Sequence, residues 1–423
     1  MTLKDYLSIF TNRRVGVVLF LGFASGLPLS LTGGTLQAWM TVEGIDLRTI
    51  GIFSLVGLPY TLKFLWAPLM DRFVPPWLGR RRGWIIATQL GLMLGIAAMG
   101  LSSPQHAPWA LAALAFMVAL TSASQDIVFD AYRADVLRPP ERGMGAAVSV
   151  MGYRIAMLVS GAVALILSAH IGWRTTYLLM AGLMMIGVFA TLLGPEPELR
   201  VTPPRSLREA VWEPLHEFFS RRAAVLLLLL IVLYKLGDAF AGSLTTAFLI
   251  RGMEFTVSEV GTINKGLGLV ALIVGALFGG ALMVRLGLFR SLLLFGVLQA
   301  VSNLSFMALA WVGKSYAMMV GAVALENLAG GMGTAAFVAL LMALCNHRFT
   351  ATQFALLSAL ASLGRVFVGV PSGYLVESAG WVVFFFITTL VALPGLGLLW
   401  GLRERISSLD AVNGAKDSNQ VAS

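Results

Sequence analysis

The sequence predicts an all-α polytopic membrane protein, and three observations lead to this fold class. Of the 423 residues, 58% are hydrophobic and 12% are charged, whereas soluble domains carry about 25% charged residues. Apolar runs of about 20 residues, the length that crosses a bilayer, recur along the chain. The longest polar interruption, residues 195–222, follows the sixth of these runs. We therefore expect 12 transmembrane helices in two groups of six.

The polar interruption divides the chain into four predicted regions. Residues 1–194 form an N-terminal six-helix half, 195–222 a central cytoplasmic loop, 223–403 a C-terminal six-helix half and 404–423 a flexible cytoplasmic tail. Within the loop, residues 206–219 place apolar side chains at helical intervals opposite charged ones. This pattern is typical of an interfacial connector, and a regulatory helix is the alternative.

The distribution of positive charge predicts the orientation in the membrane. A net charge of +9 can indicate nucleic-acid binding, but 21 of the 30 Lys and Arg residues lie in loops on the side of the N-terminus and 4 in loops on the other side. Such an excess marks the cytoplasmic side. We therefore expect both termini in the cytoplasm and no nucleic-acid partner. The single cysteine, the four histidines and the glycine clusters show no disulfide, metal or phosphate-binding pattern, so no metal or cofactor is expected.

The two halves of the sequence repeat one another. A Gly-x7-Ser-Gly pattern that begins at Gly152 recurs at Gly364, an offset of 212 residues. A Gly-Trp pair opens the sixth span at Gly172 and the twelfth at Gly380. A six-plus-six parallel repeat is typical of the major facilitator fold, in which substrate binds between two halves that rock against each other.

A charged segment after the second span resembles the major facilitator signature Asp-Arg-x-Gly-Arg-Arg, with about five residues inserted. Its residues are Asp71, Arg72, Gly79, Arg80 and Arg81. The resemblance implies a gating latch in which Asp71 meets a neighbouring helix end or an arginine and biases the outward-open state. The alternative interpretation is a cluster of cytoplasmic positive charge with no further role.

Six polar segments within the apolar spans resemble the AmpG family of muropeptide permeases. They lie at residues 23–29, 35–40, 63–66, 122–127, 234–239 and 353–358. The resemblance extends through nearly all of the predicted helices. It implies a proton symporter of the bacterial inner membrane that imports N-acetylglucosaminyl-1,6-anhydro-N-acetylmuramyl peptides for peptidoglycan recycling. The family also implies a link to β-lactamase induction and β-lactam resistance.

Ionisable residues inside the predicted helices are the main candidates for function, because each costs at least about 2.5 kcal/mol to insert into a bilayer. The bases are Lys63, Arg154, Lys235, Lys265 and Arg365, and the acids are Asp126, Asp130, Asp238 and Glu326. We expect the bases and Glu326 to bind an anionic, highly polar substrate. Neutral side chains that would bind sugar hydroxyls and amides are Gln37, Trp39, Tyr60, Gln125, Tyr153, Asn264, Gln299 and Asn327.

Three of the acids are candidates for proton coupling. Asp126 and Asp130 are four residues apart and share a helix face, where repulsion between two carboxylates favours proton binding by one of them. Alternatively, one of the two pairs with Arg154, or Asp130 already lies at the interface. Lys235 and Asp238 are three residues apart and can neutralise each other. A substrate carboxylate that competed for Lys235 would free Asp238 to take a proton.

Two other functions stay open at this point. One is a drug/proton antiporter or a transporter of another polar solute, although nine buried charges favour a polar substrate over a lipophilic drug. The other is an intramembrane aspartyl hydrolase, which would need its two acids on different helices. We expect no enzymatic activity and a monomer whose partners are the muropeptide, protons and the lipid bilayer.

Overall fold

The computed structural model describes residues 13–67, 70, 75–137, 142–195, 219–220, 223–344 and 350–408. These residues fold into α-helices with short 3₁₀ and π-helical turns. They belong to two compact units. Unit 1 comprises residues 1–45, 56–204 and 256–262, and unit 2 comprises residues 46–55, 205–255 and 263–423, each as far as it is described.

The helices of the first half of the chain are numbered α1 to α8 among the described residues. They are α1 (Arg13–Thr32), α2 (Gly34–Val42), α3 (Leu47–Ile52), α4 (Leu58–Leu62), α5 (Arg80–Leu101), α6 (Pro108–Val136), α7 (Arg142–Leu158) and α8 (Ala164–Leu193). A 3₁₀ turn, Lys63–Leu65, follows α4, and a π-helical turn, Val159–Val163, joins α7 to α8.

The helices of the second half continue the series from α9 to α16. They are α9 (Ala224–Ser243), α10 (Thr245–Ala247), α11 (Val257–Val260), α12 (Gly268–Leu286), α13 (Leu288–Val312), α14 (Tyr316–Leu344), α15 (Thr350–Phe367) and α16 (Gly369–Gly401). π-helical turns follow α10 at Phe248–Gly252 and α11 at Gly261–Leu267. Of the predicted flexible tail, residues 404–408 are helical and the rest lies outside the described residues.

Nine stretches of the described chain are long and apolar enough to cross a bilayer. Two of them, Val148–Leu193 and Leu356–Gly401, have 46 residues each. At 1.5 Å per residue each measures about 69 Å, which is two membrane crossings. The predicted second span, 47–70, is not one helix: Gly57 and Pro59 lie where it breaks into short helices and 3₁₀ turns. With these three adjustments the described helices account for the 12 spans that the sequence predicts.

Glycines in a left-handed conformation end the corresponding helices of the two halves. Gly172 has φ 77° and ψ 162°, and Gly380 has φ 78° and ψ 172°. Gly79, before α5, has φ 75°, and Gly287, before α13, has φ 74°. Only glycine adopts this conformation without a steric cost. The sequence repeat is therefore also a repeat of backbone geometry.

Side-chain caps open the second and eighth spans at corresponding places. Asp46 Oδ1 accepts a hydrogen bond from the Thr49 backbone N–H at 2.8 Å, directly before α3. Thr256 Oγ1 accepts one from the Glu259 N–H at 3.3 Å, before α11. Burial of Asp46 opposes its ionisation, but the hydrogen bonds from Thr49 and the backbone outweigh that effect and lower the pKa of Asp46. Both spans thus begin with a capped first turn.

Unit 1 is organised around α1, which packs against α6, α7 and α8. A Cβ atom on Gly22 would lie 2.4 Å from the Ser149 carbonyl oxygen, and one on Gly26 would lie 2.6 Å from that of Tyr153. The missing side chains let the backbones of α1 and α7 touch, as small residues do in other membrane helix pairs. These two helices therefore form one tightly packed element.

Unit 2 has an equivalent pair in α12 and α14. A Cβ atom on Gly275 would lie 2.2 Å from the carbonyl oxygen of Leu328, and one on Gly331 would lie 2.2 Å from that of Leu272. Around this pair, α13 packs against α14 and α16, and α9 packs against α15 and α16. Glycine contacts thus fix the distance between α12 and α14.

The short helix α3 belongs to unit 2, where it packs against α16. Arg48 forms an ion pair with Glu377 and lies 5.0 Å from the ring centre of Tyr374. A Cβ atom on Gly51 would lie 2.3 Å from the carbonyl oxygen of Gly369. The start of the second span is therefore grouped with residues from the second half of the chain.

We predict that Gly172→Ala destabilises the protein by about 1–2 kcal/mol, the cost of a Cβ atom in a left-handed residue. Gly182→Ala is the matched control, because Gly182 lies on the same helix with nothing within 4 Å of its Cβ position. In the interior of a regular helix, replacing glycine by alanine raises the free energy of unfolding by about 0.5–1 kcal/mol. Thermal unfolding in detergent compares the two, and equal melting temperatures would contradict the assignment of the turn to Gly172.

Candidate functional site

Asp126 lies on α6 inside unit 1 and is bonded to a residue of α1. The Ser25 hydroxyl donates to Asp126 Oδ1 at 2.5 Å. The charges of Lys63 and Asp130 act on Asp126. Lys63 begins the 3₁₀ turn that follows α4. The break in the second span therefore places this lysine where its charge acts on Asp126. The arrangement is a membrane carboxylate with one hydroxyl donor and one basic neighbour.

Three buried polar atoms of α4 and α6, the helices that carry Tyr60 and Asp126, have no hydrogen-bond partner among the described residues. They are Tyr60 Oη, Ser122 Oγ and Gln125 Oε1. Ser122 precedes Asp126 on α6 by four residues, which places the two on one helix face, and Gln125 directly precedes Asp126 in the chain. Tyr60 is close enough to interact with Asp126. Buried polar groups usually have partners, so these groups are available to water or to a ligand.

We call this group the Asp126 cluster. Its members share a position inside unit 1 and carry either a charge or an unpaired polar atom, except for Ser25, which is bonded to Asp126. They are Ser25, Tyr60, Lys63, Ser122, Gln125 and Asp126. The cluster contains the chemistry needed to bind and release a proton within an apolar helix bundle.

Asp130 does not share the buried environment of Asp126, contrary to the expectation of two buried like charges. Its side chain is 54% exposed, and its Oδ1 lies 3.1 Å from Nη2 of Arg133 on the next turn. Asp130 lies four residues after Asp126, which is about 6 Å further along α6. Arg154, the other expected partner, contacts the sulfur of Met157 at 3.9 Å. Asp126 is therefore the buried acid of this pair.

Lys235 and Asp238 form an ion pair inside unit 2. Lys235 is 8% exposed. Its Nζ donates to Asp238 Oδ2 at 3.2 Å and to Thr334 Oγ1, on α14, at 3.2 Å. Thr334 in turn donates to the carbonyl oxygen of Gly330 at 2.7 Å. Lys235 thus has both a counter-charge and a second acceptor.

Lys265 has a different environment, although it lies in the same unit. It is part of the π-helical turn Gly261–Leu267, an irregularity that is frequent at functional sites. Its Nζ donates to the hydroxyl of Thr246 at 3.0 Å. Glu326 accepts a hydrogen bond from Asn327 Nδ2 at 2.7 Å and interacts electrostatically with Lys235, Asp238 and Lys265. The bonded partner of Lys265 is therefore a neutral group.

We call the second group the two-lysine cluster. Its members come from α9, α10, the π-helical turn after α11, and α14, and all lie in unit 2. They are Lys235, Asp238, Thr246, Lys265, Glu326, Asn327 and Thr334. The four ionisable side chains carry two positive and two negative formal charges, surrounded by hydroxyl and amide groups.

Two of the predicted binding residues are buried in packing contacts within the helix bundle. Trp39 is 4% exposed, and its ring centre lies 5.9 Å from that of Trp173 and 5.1 Å from that of Tyr177. Gln299 is 5% exposed, and its Nε2 donates to the carbonyl oxygen of Gly330 at 3.4 Å. These contacts favour packing roles. Substrate contacts at Gln37, Tyr153, Asn264 and Arg365 stay predictions.

The predicted gating latch is described in part. Asp71 and Arg72 lie outside the described residues, as does the side chain of Arg80. Arg81 Nε lies 3.0 Å from Asp135 Oδ2 at the end of α6, with 11% and 14% of the two side chains exposed. Among the described residues of the predicted latch, Arg81 therefore forms an ion pair with Asp135, an acid that the sequence interpretation did not select.

Arg82 and Arg13 hold the end of α8 in the same region. Arg82 donates to the carbonyl oxygens of Thr191 and Leu192 at 3.0 Å each. Arg13 donates to that of Leu193 at 2.7 Å. Cations at a helix C-terminus satisfy its free carbonyls and interact favourably with the helix dipole. The start of α5 is thus fixed to the ends of both α6 and α8.

The structure adds site residues that the sequence interpretation missed. They are hydroxyl groups at Ser25, Ser122, Thr246 and Thr334, and the acid Asp135. Serine and threonine are frequent in membrane helices and usually bond their own backbone, so their presence alone indicates little. The signal that selects Ser25, Thr246, Thr334 and Asp135 is their contact with a charged residue of another segment, which a single sequence does not contain. Ser122 is selected by its buried hydroxyl, which has no hydrogen-bond partner among the described residues.

Comparison with known proteins identifies the family. Residues 18–315 match the Major Facilitator Superfamily. An anhydromuropeptide permease of Escherichia coli K12 is 58% identical over 404 residues, which is 95% of this chain and 82% of that protein. The chain belongs to the AmpG family of the major facilitator superfamily. A putative transporter named AmpG 4, from Rickettsia felis, is 34% identical and covers 94% of this chain and 99% of its own length.

Solved structures agree with the AmpG family assignment at the level of the fold. A peptide transporter POT in complex with sulfate has a TM-score of 0.71 at 14% identity and covers 94% of this chain and 96% of its own. A bacterial homologue of the human lysosomal transporter Spinster, inward-facing and unoccupied, has a TM-score of 0.69 at 16% identity. The match covers 97% of this chain and 99% of that one. The predicted major facilitator fold is confirmed. The protein is a multi-pass transporter of the bacterial inner membrane and not an enzyme.

Proposed function

We propose that the protein imports N-acetylglucosaminyl-1,6-anhydro-N-acetylmuramyl peptides from the periplasm to the cytoplasm, driven by the proton motive force. The observation that carries this proposal is a pair of buried polar clusters in a chain that is 58% identical to an anhydromuropeptide permease. Such groups are rare inside membrane proteins and mark pathways for substrates and ions. Import of these fragments would serve peptidoglycan recycling, and membership of the AmpG family implies a link to β-lactamase induction.

The chemistry of the two-lysine cluster suits a glycopeptide. Anhydromuropeptides carry carboxylates, amides and sugar hydroxyls on one molecule. The cluster offers ammonium groups at Lys235 and Lys265, an amide at Asn327, and hydroxyls at Thr246 and Thr334. A lipophilic drug would displace water from these charged and polar groups without offering them hydrogen bonds, at a cost in free energy for each. The cluster therefore favours a polar, anionic solute over the antiporter alternative.

Lys265 is the lysine that we assign to the substrate carboxylate. Lys235 already has Asp238 as its counter-charge at 3.2 Å, and a ligand must displace this acid to bind there. Lys265 is bonded to the neutral hydroxyl of Thr246. A carboxylate that replaces this neutral acceptor adds the attraction of an ion pair to the hydrogen bond from the ammonium group. Binding at Lys265 comes first in this scheme, and competition for Lys235 with release of Asp238 is a second step.

Asp126 is the acid that we assign to proton coupling. Asp130 is exposed and paired with Arg133, and Asp238 is paired with Lys235. Asp126 lies inside unit 1 with a hydroxyl donor at Ser25 and unpaired polar atoms beside it. The bonded partner of Asp126 is a neutral hydroxyl, so protonation of this carboxyl group breaks no salt bridge. Import would then require protonation of Asp126 together with substrate binding.

Uptake of labelled anhydromuropeptide into proteoliposomes tests the proposal. With a more alkaline interior, we expect accumulation that unlabelled muropeptide inhibits and that a lipophilic cationic drug does not. Asp126→Asn should abolish accumulation driven by the pH gradient and leave substrate exchange at equal pH measurable, because the neutral amide removes the proton carrier and not the binding site.

Asp130→Asn is the matched control on the same helix. Its ion pair is exposed and contributes about 0–1 kcal/mol to stability, so accumulation should stay close to the level of the unchanged protein. Normal accumulation by Asp126→Asn would refute the role of Asp126. Gradient-driven export of the drug, without muropeptide uptake, would favour the antiporter instead.

A second prediction concerns Lys265. Lys265→Gln should weaken muropeptide binding at least about tenfold, a loss of roughly 1.4 kcal/mol, and Lys265→Arg should retain part of the affinity because it retains the charge. Lys314→Gln is the control, since Lys314 donates to the backbone carbonyl of Glu254 and lies outside the cluster. Equilibrium binding to purified protein measures all three. Unchanged affinity of Lys265→Gln would exclude this lysine from carboxylate recognition.

A further inference from the structure

Ser25 is a buried hydroxyl that links two helices through the acid of the Asp126 cluster. It is 5% exposed, lies on α1, and donates to Asp126 Oδ1 on α6 at 2.5 Å. Most serine hydroxyls in these helices bond a backbone carbonyl of their own helix, as Ser160 does with Ala156. Ser25 instead donates to a carboxylate that is 101 residues away in the chain.

The packing of α1 fixes the direction of this hydroxyl. Gly22 and Gly26 lie on the face that touches the backbone of α7. Ala24 lies against Gly187 of α8: a Cβ atom added to Gly187 would lie 2.5 Å from the Cβ atom of Ala24. With 100° between successive residues, Ser25 is left on a third face, which meets α6. The hydroxyl is therefore held in place by contacts on the other two sides of α1.

The charged and titratable groups around Asp126 come from each element packed against α6. The turn after α4 contributes Lys63, α4 contributes Tyr60, and α6 itself contributes Asp130. From α5, Arg81 pairs with Asp135 at the end of α6. On α1 the group that meets Asp126 is the Ser25 hydroxyl. Through Ser25, the protonation state of Asp126 therefore acts on the contact between α1 and α6.

We propose that Ser25 is a positioning residue for Asp126: its hydroxyl holds the ionised carboxylate against α1, and protonation of Asp126 weakens that hold. A hydroxyl that donates to a carboxylate stabilises the charged form. Because glycine contacts join α1 to α7, the two helices respond together when the bond to α6 weakens. The inference rests on the proposed proton coupling through Asp126 and adds the residue that connects it to helix packing.

The pH dependence of muropeptide uptake tests the inference. Ser25→Ala removes the donor, so Asp126 should bind a proton more readily, and the pH of half-maximal uptake should rise by about one unit, a tenfold change in proton affinity. Ser25→Thr keeps a hydroxyl and should restore the pH profile of the unchanged protein. Ser160→Ala is the matched control, since it removes an equally buried serine hydroxyl that bonds only its own helix. Its profile should not move.

The outcomes separate this inference from the proposed function. If Asp126→Asn loses gradient-driven accumulation while Ser25→Ala keeps the original pH profile, the role of Ser25 is refuted and coupling through Asp126 stands. If uptake by the unchanged protein does not depend on pH, proton coupling fails and the inference fails with it.

An infrared titration covers the case in which Ser25→Ala does not fold. Ser25→Cys retains a side chain of similar size with a weaker donor. The carboxyl band of Asp126, assigned by its loss in Asp126→Asn, should then reach half-protonation at a higher pH than in the unchanged protein. An unshifted midpoint would overturn the inference.

Discussion

The cost of placing charge in a bilayer is the constraint on which the functional part of this protein depends. Each ionised side chain within a span costs at least about 2.5 kcal/mol unless a partner or a polar cavity compensates it. The two clusters show the compensation in different forms: Lys235 has an ion pair with Asp238, Lys265 a bond to a threonine hydroxyl, and Asp126 a serine hydroxyl. Lys265 and Asp126, whose bonded partners are neutral hydroxyl groups, are the residues to which we assign substrate and proton binding.

Backbone contacts between helices place these partners. Glycines let α1 and α7 touch in unit 1, and α12 and α14 in unit 2, at distances that any side chain would prevent. Ser25 reaches Asp126 because α1 is held in this way, and Thr334 reaches Lys235 from α14. The glycine content that favours close packing in membranes therefore holds α1 and α14, the two helices that present these hydroxyl side chains to the charged ones.

Much of the fold could be predicted from the sequence, because bilayer thickness fixes the length of an apolar run and the repeat of Gly172 at Gly380 marks the two halves. The pairing of Lys235 with Asp238 was also predictable, since residues three apart on a helix are neighbours. Contacts between helices were not: Ser25, Thr246 and Asp135 depend on helix register. The exposure of Asp130 depends on where α6 leaves the packed core, which hydrophobic periodicity does not reveal.

The most direct test of the central claim, that a proton crosses with the substrate through Asp126, is a measurement of proton flux. Proteoliposomes that contain a pH-sensitive dye would receive anhydromuropeptide on the outside with no initial pH gradient. The account predicts that the interior acidifies as labelled substrate enters, and that Asp126→Asn shows no acidification. Muropeptide uptake by the unchanged protein without any acidification would contradict it.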